Sequence, residues 1–153
     1  MEIVTDKRRL RAKCHEVTDF TEVEQVAKVL FDVLQNYNGP AGKAVGLAAN
    51  QVGYRERMFV MRIDRVPPIC VVNPVLTKQR GSQLGPESCL SLPGVKVLVK
   101  RPMSIVMKGV NQYGKLVKYK LSGIQARVAC HEIDHLDGKL ITDYGVKHES
   151  TKA

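Results

Sequence analysis

The chain has 153 residues, 44% of them hydrophobic and 25% charged, a globular mixture large enough to bury a core without a disulfide or structural metal. Its 24 Lys and Arg against 15 Asp and Glu give a net charge of +9, which favours approach to polyanions such as ribosomal RNA. There is no zinc-finger or RNP-type signature and hence no sign of specific DNA recognition. No apolar run approaches the roughly 20 residues of a bilayer span, no secretory signal opens the chain, and four cysteines without CxxC spacing fit a reducing, cytoplasmic compartment.

In chain order, the first feature is a basic cluster, Lys7-Arg8-Arg9-Leu10-Arg11-Ala12-Lys13. A helix is predicted over 21–37. Thr21 and Glu24 form a capping box, and Val23, Val26, Ala27, Leu30, Val33 and Leu34 recur at helical spacing. Asn38-Gly39-Pro40 ends it. Strands are predicted over 57–63 and 69–72, and a hairpin over 103–110 and 116–121 around Asn111-Gln112-Tyr113-Gly114. The last strong element is a helix over 123–137, with Ser122 and Gln125 as a second capping box and Gly138 after its end. The polar tail, 145–153, is expected to be flexible.

Three short segments carry chemistry. His131-Glu132-Ile133-Asp134-His135 sits on the last predicted helix, where residues four apart share a face, so both imidazoles can bind one cation. Glu132 can reach a water there as a general base. Two His need a third ligand. Many HExxH proteases take it from a downstream Glu or His, but the only such residues here, His148 and Glu149, lie in the polar tail, and Cys89 is the better candidate. It lies in Gly85-Pro86-Glu87-Ser88-Cys89-Leu90-Ser91-Leu92-Pro93-Gly94, read as a shaped loop rather than a strand, and a thiolate suits Zn²⁺ or Fe²⁺. The third segment, Ala44-Val45-Gly46-Leu47-Ala48-Ala49-Asn50-Gln51, allows close backbone approach to a ligand and offers the Gln51 amide.

Read together as AVGLAANQ, ESCLS and CHEIDHLDG, these segments resemble the GxGLAAxQ, EGCLS and QHExDHLxG motifs of the peptide deformylase family, in the same order. The resemblance extends over about residues 3–144. It implies an α+β fold: one domain, 1–153, with antiparallel-rich strands packed around a C-terminal HExxH helix and with an N-terminal helix. It implies removal of the formyl group from the N-terminal formyl-methionine of nascent polypeptides, with release of formate. Cys89, His131 and His135 would hold one divalent metal, Fe²⁺ by resemblance, with Zn²⁺, Ni²⁺ or Co²⁺ also compatible with such donors. Glu132 would activate the water and protonate the departing amine. The Gln51 side chain and the Leu90 N–H would hold the formyl oxygen, and the Gly46 backbone would align the peptide. Val45, Ile124 and Arg127 are expected to line the methionine pocket, Ile124 and Arg127 because they share the His131 helix face.

The family resemblance has three departures. Ala44 stands for the first Gly of the first motif, which would cost about 1 kcal/mol if that position required φ > 0. Ser88 stands for the Gly before the thiol, and Cys130 for the Gln before the first His, where it reads as a buried packing residue. The short C-terminus resembles compact forms without the long C-terminal helix, some of them phage-encoded; the setting would be a bacterial, phage-infected or organellar interior. Any ribosome contact would then fall to the basic surface. The other readings are a zincin-like metallopeptidase, a basic RNA-binding module with a closed structural metal site, and a catalytically weakened peptide- or ribosome-binding homologue.

Overall fold

The computed structural model describes residues 2–39 and 42–144; the expected tail, 145–153, lies outside them. In chain order the elements are α1 (Lys7–Leu10), α2 (Val23–Asn36), β1 (Asn38–Gly39), β2 (Gly42–Lys43), β3 (Gly46–Ala48), a 3₁₀ turn (Ala49–Val52), β4 (Met58–Met61), β5 (Ile69–Arg80), β6 (Gln83–Cys89), β7 (Leu92–Arg101), β8 (Ser104–Val110), β9 (Leu116–Ser122), α3 (Gly123–Leu136) and a second 3₁₀ turn (Ile141–Asp143). The α+β expectation holds.

A five-stranded sheet, ordered β3-β4-β5-β8-β9 and antiparallel throughout, forms the centre. Its alternation sorts side chains between two helices. Met58 and Val60 join Val23, Val26, Ala27, Leu30 and Leu34 of α2. Phe59, Met61 and Val71 join Ala126, Ala129, Cys130, Ile133 and Leu136 of α3 on the other face. Every residue of β4 is buried, as a strand covered on both faces must be. Phe59 is among the largest fully buried side chains. Phe59→Ala is therefore expected to lower stability by about 3–5 kcal/mol, through lost transfer energy and a cavity; urea unfolding followed by circular dichroism measures it.

The first expected helix, 21–37, starts later than its capping box implied. Thr21 instead donates through both its amide and its hydroxyl to Asp19 Oδ1, at 3.0 and 2.5 Å. α2 begins at Val23 with no side-chain cap, because the nearby carboxylate competes for the same hydroxyl. The capping box at Ser122 is also absent. Ser122 is still paired with Ser104 as the last residue of β9, and Gly123 turns the chain at φ +59°. The short helix α1 and the hairpin β6–β7 were not expected. β6 and β7 run antiparallel from Gln83↔Arg101 to Cys89↔Leu92, with a register shift at Ser88/Cys89, so the segment read as a loop is a strand that ends in a bulge. A third core group, including Val4, Leu10, Leu92, Val97, Val99 and Leu140, seats this hairpin against the N-terminal segment and the last turn.

Candidate active site

The hairpin β6–β7 closes over α3 and the β3 segment, and the three sequence motifs meet in one cleft of about 460 Å³. Gly46 starts β3 beside α3. A methyl group on it would stand 2.6 Å from Glu132 Oε2, so a larger residue would push the Glu132 carboxyl out of its place. Asn50, in the following 3₁₀ turn, donates to the His135 carbonyl at 2.5 Å and ties the turn to α3. Gln51 is fully buried. The Ala48 N–H donates to Gln51 Oε1 at 3.0 Å, so the amide has one orientation, with Nε2 directed at Ser91 Oγ (3.1 Å) and Cys89 Sγ (3.6 Å).

Cys89 ends β6, and His131 and His135 stand one turn apart on α3, their rings 5.0 Å apart. One ligand atom from each of the three lies within 4.8 Å of the others, and Cys89 Sγ is 3.2 Å from His135 Nε2. A thiol and two imidazoles clustered this tightly fit a single divalent cation. The remaining chemistry agrees with that fit. Glu132 Oε1 is buried without a hydrogen-bond partner, an orientation that is costly unless a solvent molecule or ion completes it. Burial pushes the Glu132 carboxyl up to about 7, against the opposing pull of a His131 charge. A carboxyl near neutrality can both accept and return a proton.

Beneath the cluster lies a buried ionic network. Glu87, on β6, accepts from Arg101 Nε and Nη2 at 2.8 and 2.9 Å, from Arg127 Nη1 at 2.8 Å and from His131 Nδ1 at 2.9 Å. Burial alone would raise its pKa, but its bonds to Arg101 and His131 prevail and hold it at about 2. As a carboxylate it accepts the Nδ1 proton of His131, so that Nε2 is the atom that would give up its proton and bind a cation. Arg101 also donates to Asp134, which accepts in turn from the Tyr144 hydroxyl, both at 2.5 Å. Arg101 thereby joins the thiol-bearing hairpin to the HExxH helix. Glu87→Gln is expected to weaken metal affinity about 10–100-fold, the usual loss when an outer partner of a ligand is removed. A chelator competition titration reads this directly.

Glu87 and Asp134 lie inside motifs legible in the sequence, yet the sequence reading gave them no role, and Arg101 was missed altogether. A signal existed: Val95, Val97, Val99 and Arg101 alternate with Lys96, Leu98 and Lys100, which places Arg101 on the inward side with the valines.

Val45, half exposed at 51%, and Arg127 line the cleft. The Arg127 guanidinium is held by Glu87 and the Val99 carbonyl, so its charge is already compensated. Ile124 does not line it. This residue is 77% exposed in the first turn of α3, although Gln83 of the hairpin donates to the neighbouring Gly123 carbonyl, and Val128 provides the apolar surface instead. Leu90, in the β6–β7 turn, borders the cleft. Ala44 is not among the residues with positive φ and so carries no such strain; its carbonyl accepts from Arg62. Ser88 is exposed on β6, and Cys130 packs in the core on the α3 side.

An HExxH helix, a thiol from a neighbouring hairpin and a buried carboxyl facing an open cleft define the class of mononuclear metallohydrolases. The family model described as polypeptide deformylase matches residues 1–151. A peptide deformylase of Dictyoglomus thermophilum is 40% identical over 139 residues, covering 90% of this chain and 87% of that protein. The Thermotoga maritima peptide deformylase structure superposes with a TM-score of 0.85 at 34% identity, covering 95% of this chain and 97% of that one. The structure of a probable peptide deformylase from Synechococcus phage S-SSM7 gives 0.83 at 36% identity, covering 95% and 99%. The chain belongs to the peptide deformylase family.

Proposed function

We propose that the protein hydrolyses the formamide bond of N-formylmethionyl peptides, releasing formate and a free amino terminus. The observation that carries this reading is the convergence of Cys89, His131 and His135 on one point beside the unpartnered carboxyl of Glu132 and the directed amide of Gln51. A divalent cation held by the three ligands would supply positive charge that polarises the formyl carbonyl and makes water a stronger acid. Fe²⁺ is the metal expected from the family; Zn²⁺, Ni²⁺ and Co²⁺ suit the same donors.

The chain's own residues supply the rest. Gln51 Nε2 and the Leu90 N–H donate to the formyl oxygen as negative charge develops there, an effect strongest in a site shielded from water. Glu132 removes a proton from the attacking water and gives it to the departing nitrogen as the C–N bond breaks. The Gly46 backbone aligns the peptide, and Val45, Val128 and the Arg127 stem surround its methionine side chain. An anaerobic preparation of the Fe²⁺ form, assayed on a formyl-Met tripeptide with formate measured, is expected to turn over. Cleavage of casein without formate release would instead identify a general metallopeptidase. The bacterial and phage relatives support a cytoplasmic setting, and no helix among the described residues is long and apolar enough to cross a membrane. Contact with the ribosome through basic surface would bring the enzyme to its substrate.

A further inference from the structure

Between residues 65 and 131 Glu87 is the single acid, and it is buried. Five of the eleven cations of that stretch share one face. α2 covers the sheet at β3, β4 and the start of β5, at Cys70 and Val72, but among the described residues the same side is open along the rest of β5 and over most of β8 and β9. There the register lays out three successive rows: Arg80–Ser104–Ser122, Lys78–Val106–Lys120 and Val75–Lys108–Lys118. The inward residues of these strands, such as Ile105, Met107 and Leu121, are buried in the core, whereas all five cations are exposed. None of the five forms an ion pair among the described residues. Lys108 stands directly opposite Lys118, a like-charge pair that destabilises a bare sheet and that an anion would relieve.

We infer that this β5–β8–β9 face docks on the phosphate backbone of double-stranded RNA. Rows in a sheet are about 6.6 Å apart along a strand, so the five cations form a track roughly 13 Å long, suited to a line of phosphates rather than a single anion. A lipid surface fits less well, because Val106 lies between Lys78 and Lys120 and could enter an apolar phase only by burying both. Ser104 and Ser122, beside Arg80, present hydroxyls that can pair with ribose 2′-hydroxyls, which DNA lacks. The choice of RNA also rests on the reading above, since a new polypeptide is met where RNA-based synthesis releases it.

The test is fluorescence anisotropy of the full chain on an RNA duplex of about 16 base pairs across a salt series. Wild type is expected to bind, and Lys108→Glu/Lys118→Glu/Lys120→Glu to bind at least ~10-fold more weakly with a log–log salt slope flatter by about 2–3, since each lost phosphate contact removes about 0.9. The matched reversal Lys7→Glu/Arg8→Glu/Lys13→Glu changes net charge equally and is expected to stay within about two-fold of wild type, as charges off the track make no phosphate contact. Hydrolysis of the formyl-Met tripeptide is expected to be unchanged in both. Equal weakening by the two reversals would overturn the assignment of a face. A duplex DNA bound as tightly as the RNA, or phosphatidylserine vesicles bound more tightly, would overturn the assignment to RNA. Failure to release formate from the tripeptide would overturn the catalytic reading and leave the anisotropy result standing.

Discussion

Glu132→Ala is expected to bind metal as wild type does and to lose formate release by about 10²–10⁴-fold, the usual worth of a positioned general acid–base. The carboxyl is not one of the three clustered ligands, so its removal leaves Cys89, His131 and His135 in place. What disappears is the group that carries the proton from water to the amine. Burial has already moved that carboxyl up to about 7, where both directions of transfer are accessible. Glu132→Gln is a sharper version: it keeps the shape beside Gly46 and removes only the basicity. Metal content by plasma mass spectrometry and kcat on the tripeptide together read the outcome. Turnover near the wild-type rate in a metal-loaded variant would exclude Glu132 from proton transfer.

The parts legible in the sequence are those whose evidence is local. The HExxH spacing on a helical period places two imidazoles on one face of α3, and the Asn111–Gly114 turn with flanking β-formers places the β8–β9 hairpin. The β6–β7 hairpin was hidden because Gly85, Pro86, Pro93 and Gly94 all read as loop residues. In a two-stranded hairpin each strand has one unpaired edge, so Pro86 can sit opposite Leu98 without removing a needed donor. The error at Ile124 has a related origin. Helix arithmetic correctly puts it on the face of Arg127 and His131, but how far along the helix that face is covered depends on where the hairpin lies. The same hairpin explains why Arg101 was missed: its role exists only once β7 brings it between Glu87 and Asp134.

Cys89→Ala tests the tertiary part of the site, since this thiol lies more than 40 residues from the histidines in sequence and reaches them only through the hairpin. Removing Sγ leaves two imidazoles on one helix, fewer than the three protein ligands of a catalytic site. The loss of metal affinity is expected to exceed the ~10–100-fold attached to an outer partner such as Glu87. The variant should therefore emerge from dialysis with a reduced metal-to-protein ratio and little formate release. The fold should survive, because Val97, Val99, Leu92 and the Glu87–Arg101 pair still seat the hairpin. Far-ultraviolet circular dichroism like that of wild type would locate the loss at the cation rather than in unfolding. A metal-to-protein ratio equal to that of wild type would mean that the sulfur lies near the cation without holding it, and the three-ligand description would fail.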